Sequence, residues 1–274
     1  MVSAAHRAAV DCRLAGRLLC PAPRVRRAFR DSRVLCHTAG CGYTFEEDSM
    51  ILTDLLKLWK KTSLVDEATA QCVEMLRIGQ QMFAYSLGVL MDNECEVEDI
   101  YAMDRTLNHG EIAVRRMIAE HLAVNPQEDA IPALFLATIV GDIERIGDYC
   151  KNLIELAHHY PEKLEGPYID RIRAVKLDVA RMYDDTMKAY AENDASLAAS
   201  VMERHAELAR TCDGLTDRLL AEQQMCGRDA IIRALLIRFL KRVSAHLKNV
   251  ASSLVNPYHK LGYKPDGTPD DRDE

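Results

Sequence analysis

The chain has 274 residues, enough for one large or two small domains, each able to bury its own core. Charged residues make up 28% and the apolar class 48%, with a mean hydropathy of −0.17, which places the protein among soluble globular chains and not among disordered or membrane ones. Five Phe, one Trp, nine Pro and 13 Gly are a poor supply for sheet cores and hairpin turns, so an all-α protein is expected, and a formal charge of −7 gives no general attraction to nucleic acid or anionic lipid.

Residues 1–49 differ from the rest. They hold eight Arg and no Lys against five acids, together with Cys12, Cys20, Cys36 and Cys41, and they show no helical or strand periodicity. Arg13, Arg17, Arg24, Arg26 and Arg27 interrupt every apolar run that a secretory signal needs, so export is not expected. Three readings of this arm compete: an Arg-rich transit peptide, a partial zinc ligand set in Cys36-His37 with Cys41, or a segment upstream of a true start at Met50. The third is preferred, because Glu46-Glu47-Asp48 can be encoded by a purine-rich run resembling a bacterial ribosome-binding site. Residues 1–49 are then a disordered or non-native extension. The other five Cys (Cys72, Cys95, Cys150, Cys212, Cys226) are scattered singly and read as reduced core residues of a cytoplasmic protein.

From Met50 the pattern is helical almost without a break. Residues 50–62, with Leu55, Leu56, Leu58 and Trp59, form a short amphipathic lead-in, after which Ser63 is placed to cap a helix with Glu67 in its first turn. That helix keeps its apolar spacing to about residue 92. A second opens near Glu96 to Asp99, whose acids suit a helix N-terminus, and runs through Ile100, Leu107, Val114 and Ile118 to Val124, where Asn125-Pro126 ends it. A third starts by Asp129, tolerates Pro132 in its first turn, and reaches about Tyr160. Glu165-Gly166-Pro167 marks the main internal boundary.

Three more helical stretches follow, at 168–192, 194–226 and 228–255, before an Asp-, Pro- and Gly-rich tail from residue 258 that reads as disordered. Three helices, a break and three helices suggest duplication. A shift of 97 residues lays Glu144-Arg145-Ile146 over Lys241-Arg242-Val243 and Lys151-Asn152-Leu153 over Lys248-Asn249-Val250. A shift of 101 lays Ile100, Leu107, Val114 and Ile118 over Val201, Leu208, Leu215 and Leu219. The expected architecture is a tandem of two antiparallel three-helix bundles, at 63–165 and 166–257. The longest apolar run, 130–141, is short of the roughly 20 residues that a membrane span needs.

Chemistry is concentrated in the first unit. On its third helix Ala137, Gly141, Glu144, Asp148 and Asn152 recur at helical spacing, so two carboxylates and an amide stack above two small residues. On its second helix Asp104, Asn108 and Glu111 lie interleaved with the apolar face, where acids are costly unless compensated. If the two helices are neighbours, Asp104 and Asn108 face Glu144 and Asp148, and a bound cation resolves the repulsion of the carboxylates. The competing reading is a solvated charged face with Arg145 and Lys151 nearby. The candidate ligands are all oxygen donors, which suits magnesium, calcium, manganese or iron better than a structural zinc.

The stretch Asp142-Ile143-Glu144-Arg145-Ile146-Gly147-Asp148, continued by Lys151-Asn152, resembles the signature of the PhoU family of phosphate-uptake regulators. That resemblance covers about residues 60–256. It implies tandem three-helix bundles, each with an acidic E/D-x-x-x-D element on the third helix and a matching one on the second, met here by Asp104 to Asn108. It implies metal held by Asp104, Asn108, Glu144 and Asp148, with Glu111, Asp142 and Asn152 as further candidates around it, the ion being iron, zinc, magnesium or manganese. The second unit departs from the pattern, with Lys241, Ala245, His205 and Ala209 at the four places. His205 and His246 are expected as mobile surface residues, a direct approach of the two as ligands being the other possibility, and Lys241 as a fixed positive charge for some remaining acid.

Other function classes fit worse. A di-iron oxidase needs Glu-x-x-His on two helices, and only Glu155 with His158 fits once. None of the nine His is followed by Asp or Glu, as a phosphotransfer bundle would want, and no phosphate loop or Ser-His-Asp constellation appears. What the resemblance implies is therefore a non-enzymatic regulator of phosphate transport and phosphate-responsive signalling. Its expected partners are a phosphate ABC transporter component, a sensor histidine kinase and a second copy of itself. The alternatives are an accessory subunit of a simple phosphate permease, or a metal-binding helical-bundle enzyme.

Overall fold

The computed structural model describes residues 63–263 apart from residue 128. The expectations for residues 1–49, the lead-in at 50–62 and the tail beyond 263 fall outside the described residues. Six long α-helices make up the described chain: α1 (Leu64–Asp92), α2 (Ile100–Val124), α3 (Ala130–His158), α4 (Ile169–Glu192), α5 (Ala195–Ala221) and α6 (Gly227–Ser252). A short 3₁₀ turn, Tyr258–Lys260, follows.

The helix limits follow from side chains that satisfy orphaned end groups. Ser63 accepts from the Val65 amide, and its own backbone N–H is bonded by Asp66, so the reciprocal cap uses Asp66 where Glu67 was expected. The second helix of each bundle is capped the same way: Asp99 accepts from the amides of Tyr101 and Ala102, Asp194 from those of Ser196 and Leu197. The first helix of each ends on an asparagine in the left-handed region, Asn93 at φ 54° and Asn193 at φ 51°. Thus the duplication seen in the apolar pattern extends to its punctuation. Gly166, at φ +86°, turns the chain between the bundles where a side chain would be strained.

Each bundle buries one stripe from each of its helices. Ile100, Leu107, Val114 and Ile118 are all at most 3% exposed, and their counterparts Val201, Leu208, Leu215 and Leu219 are buried as well. Full burial of such a side chain contributes roughly 1.5–3 kcal/mol. Gly110 lets α2 approach α1, since a Cβ there would lie 2.8 Å from Met75 Sδ. Gly147 does the same for α3 against α2, since a Cβ there would lie 2.5 Å from Leu107 Cδ1.

The two bundles join along a broad seam, α3 against α6 and α1 against α4. Arg173 on α4 holds Asp92 at the end of α1 at 2.7 Å, and Gln80 donates to Asp184 at 2.7 Å. The linker is pinned as well: Leu164 N–H donates to Met91, and the buried Arg233 donates to the Glu165 carbonyl.

Three expectations are corrected here. The α5 stretch ends at Ala221 and not at 226, because residues 222–226 form the turn that Cys226 closes as the residue before α6. Cys95 and Cys226 are exposed in connections, whereas Cys72, Cys150 and Cys212 are buried, with thiols pushed by burial up to about 12. Residues 258–263, assigned to a disordered tail, are tied down: Asn256 donates to the carbonyls of Lys260 and Tyr263, and Gly262 N–H donates to Ser252.

Candidate functional site

Asp104 lies one turn into α2 and is 5% exposed; its helix position makes it part of the packed face. Asn108, one turn on, donates to Asp104 Oδ2 at 3.1 Å. The close approach at Gly147 puts Asp104 Oδ1 within 3.7 Å of where a Cβ at that position would stand. A branched residue at 147 would push the two acidic helices apart. Glu111, one further turn along α2, pairs with Arg115 at 2.9 Å and stands beside Gly141 of α3.

Across from these, α3 presents Glu144, Asp148 and Lys151. The Lys151 ammonium stands 2.8 Å from Asp148 Oδ1 and 3.0 Å from Asp104 Oδ1, bridging the two helices. The second contact is one of charge and not of aligned hydrogen bonding, since Asp104 Oδ1 is buried without a donor of good geometry. Burial alone would depress the lysine, yet the two carboxylates outweigh it and hold the ammonium above its usual range. Glu144 has no such partner among the described residues. Burial first, then the charges of Asp148, Glu111 and Asp104, raise its carboxyl above the usual range, with Lys151 opposing.

The structure therefore brings together Asp104, Asn108, Glu111, Glu144 and Asp148, as the spacing suggests. It separates the other two candidates. Asp142 points to the opposite side of α3, where Asn249 and the His246 imidazole of α6 bond its Oδ1 at 3.0 and 2.7 Å. Asn152 lies with Arg145 and Tyr149 along a cleft at the bundle seam. The residue that sequence reasoning treated as background is Lys151. Its signal was present, a lysine three positions after Asp148 on one helix face.

The donor chemistry suits a hard cation, but the positions do not. Among the described residues no group of three carboxylate, imidazole or thiolate side chains converges as a metal site, and the point between Asp104 and Asp148 is held by an ammonium. In this arrangement the residues do not fit a resident ion. The Lys151 ammonium relieves the repulsion between Asp104 and Asp148, while Glu144 keeps its share of it.

The second bundle repeats the theme in reduced form. Lys241 reaches Asp213 at 2.5 Å, the fixed positive charge expected of it. The expectation of mobile surface histidines is overturned. His246 is 3% exposed and locked to Asp142, while His205 is bonded to Ser244 Oγ at 3.0 Å. Burial, aided by Lys248 and Lys241, pulls the His205 imidazole down to about 4. Their neighbours explain the difference: both histidines lie where α6 packs, on faces that helical spacing alone did not assign to a partner.

A family model describing the PhoU domain matches residues 72–157 and again 172–254, one match to each bundle. Two relatives carry the name phosphate-specific transport system accessory protein PhoU homolog. The one from Synechocystis sp. is 25% identical over 188 residues, covering 65% of this chain and 83% of its own length. The one from Aquifex aeolicus is 26% identical over 156 residues, covering 54% and 67%. Among solved structures, PhoU from Pseudomonas aeruginosa superposes with a TM-score of 0.65 at 21% identity, over 70% of this chain and 95% of that one. The phosphate transport system regulatory protein PhoU from Streptococcus pneumoniae gives 0.64 at 18% identity, over 74% and 97%. These two likenesses concern the fold. With both bundles matched, the chain belongs to the PhoU family.

Proposed function

We propose that this protein regulates phosphate transport and phosphate-responsive signalling by binding other proteins, without catalysing a reaction. The observation that carries this reading is the match, over most of their lengths, to relatives named as accessory proteins of a phosphate-specific transport system. The geometry supports binding: the acidic cluster and Asp142 are engaged in contacts between helices, and Ser244, which lies beside the His205 imidazole, is fully buried away from any substrate. The partners in this reading are a component of a phosphate ABC transporter and a sensor histidine kinase on the cytoplasmic side, with a second copy of the chain forming a dimer. No described helix is long and apolar enough to cross a membrane, so contact with the bilayer runs through those partners. A divalent or ferric ion enters only as a competitor of the Lys151 ammonium for Asp104, Glu144 and Asp148.

The test is deletion of the gene with phosphate uptake and phosphate-starvation transcripts measured at high and low phosphate, alongside co-purification of the tagged protein with its partners. Altered uptake or transcripts, with a transporter subunit or kinase recovered, supports the proposal. Recovery of a simple permease instead selects the accessory-subunit alternative. Unchanged uptake and transcripts in both conditions overturn the regulatory assignment.

A further inference from the structure

At the seam between the bundles lies an open cleft of about 520 Å³. It is distinct from the acidic cluster, although Asp148 and Lys151 stand on the wall between the two. Its cationic residues are Arg145 and Lys151 of α3 and Arg242 of α6, with Tyr101, Tyr149 and Asn152 completing the polar lining. Arg145 and Arg242 are equivalent positions of the duplicated sequence, 97 residues apart, so the same side chain arrives in one cleft from each bundle.

The charges in the cleft are not balanced. Three cations line it against two acids: Asp148 holds Lys151 at 2.8 Å, and Glu155 keeps its charge while accepting from the Tyr101 hydroxyl at 3.3 Å. Arg145 makes no ion pair with any described residue. Arg242 donates Nε to the Tyr149 hydroxyl at 3.1 Å, which fixes its guanidinium while leaving its two terminal nitrogens without a carboxylate among the described residues. Tyr149 is itself held, its ring stacked on His246 at 5.7 Å and packed against Phe239 at 5.8 Å. One guanidinium is thus preorganised by a partly buried aromatic stack, and the other lines the same cleft from the opposite bundle.

Guanidinium forks match the geometry of tetrahedral and planar oxyanions, and a preorganised donor loses little freedom on binding. The counterpart of Asp142, which bonds His246 and Asn249 on the other side of the seam, is Phe239, so the position that carries a carboxylate there carries none beside Tyr149 and Asn152. We propose that this cleft binds a small, multiply charged oxyanion, either inorganic phosphate or the phosphate group of a small ester, gripped between Arg145 and Arg242. The cavity is larger than one tetrahedral anion fills, and Tyr101, 45% exposed, offers a flat face for the remainder of an ester. An occupant contacts both bundles and so ties binding to their relative placement.

The proposal stands independently of the regulatory reading. It is tested by isothermal titration of the full chain with inorganic phosphate, AMP and, as the ionic-strength control, sodium chloride. Binding of phosphate or AMP above the chloride control is expected. Arg145→Gln and Arg242→Gln are each expected to weaken it ten-fold or more, with Arg116→Gln, an exposed arginine outside the cleft, unchanged. Arg242→Lys keeps the charge and loses the fork, so its affinity is expected between the wild type and Arg242→Gln, which keeps the test open if a glutamine variant fails to fold. Equal affinity for phosphate and AMP assigns the free anion. Tighter AMP binding that Tyr101→Ala abolishes assigns the ester. No binding of either probe by wild type, or wild-type affinity in both glutamine variants, overturns the proposal.

Discussion

Replacing Lys151 by methionine removes the bridge of the acidic cluster while keeping most of the length of the side chain. Asp104, its side chain 8% exposed, then loses the cation paired with it among the described residues, and Asp148, at 46%, loses a partner that water largely replaces. Breaking a buried ion pair from one side costs about 3–5 kcal/mol, while an exposed pair contributes about 0–1 kcal/mol. Lys151 is 21% exposed, so the cluster lies nearer the buried case but not fully in it, and a loss of about 2–3 kcal/mol is expected. For a domain of this size that corresponds to a melting temperature lower by roughly 5–10 °C. The variant also leaves Asp104, Glu111, Glu144 and Asp148 with Arg115 as the one remaining cation paired within the cluster among the described residues. Manganese or magnesium is therefore expected to bind the variant and restore its stability, by about 2.7 kcal/mol at a hundred times its dissociation constant. Thermal melts with and without manganese and chelator, with elemental analysis of the purified proteins, read both effects. The reasoning is refuted if wild type carries stoichiometric metal and melts lower after chelation, or if Lys151→Met melts like wild type and gains nothing from the ion.

Glu144→Gln is expected to stabilise the protein at neutral pH: the folded state holds the Glu144 proton more tightly than the unfolded one, so ionisation opposes folding above pH 4.5 and the gain vanishes below it. A urea melt of this variant at pH 7 and pH 4 checks the sign, and destabilisation at pH 7 would show that a cation holds the carboxylate. His205 takes its proton near 6.5 when unfolded and near 4 when folded, so stability is expected to fall as pH drops through that window, by at most about 3 kcal/mol, and His205→Gln to flatten the slope. Gly147→Ala sets a methyl against buried Leu107 and is expected to cost about 1–3 kcal/mol in a denaturant melt, whereas Gly214→Ala, with open space around it, is expected to stabilise slightly.

Much of the fold was legible because its determinants are local. Asn93, Asp99, Asn193 and Asp194 set helix ends by hydrogen bonds to residues within a turn, and the apolar period from Ile100 to Ile118 names its own buried face. The cluster of Asp104, Glu111, Glu144 and Asp148 was legible for the same reason, since two adjacent helices with acids on their facing stripes have to meet. Lys151 was not, because a lysine beside an acid on a helix is equally at home in solvent, and only the depth of Asp104 turns it inward. His246 and Asp142 were beyond reach for a different reason: each lies 104 residues from its partner, on a face that a single bundle leaves exposed. Periodicity finds the face a helix buries within its bundle and is silent about the face it buries against the next one.

That second face is where the duplication has been put to different uses. Position 142 carries an aspartate that bonds His246 and Asn249, and its equivalent 239 carries a phenylalanine that packs on Tyr149. The sequence-equivalent pair Tyr149 and His246 stack on each other, so the internal symmetry of the seam is kept in shape and broken in charge. On one side Asp142 accepts two hydrogen bonds in a buried setting, and removing it would leave His246 Nδ1 and the Asn249 amide without that acceptor. On the other side Arg145 and Arg242 are left with capacity to spare. The acidic cluster has diverged in the same manner, toward internal neutralisation by Lys151 in the first bundle and by Lys241 with Asp213 in the second. Arg145 and Arg242, paired with no carboxylate among the described residues, line one cleft at the seam, where a ligand or partner can act on both bundles at once.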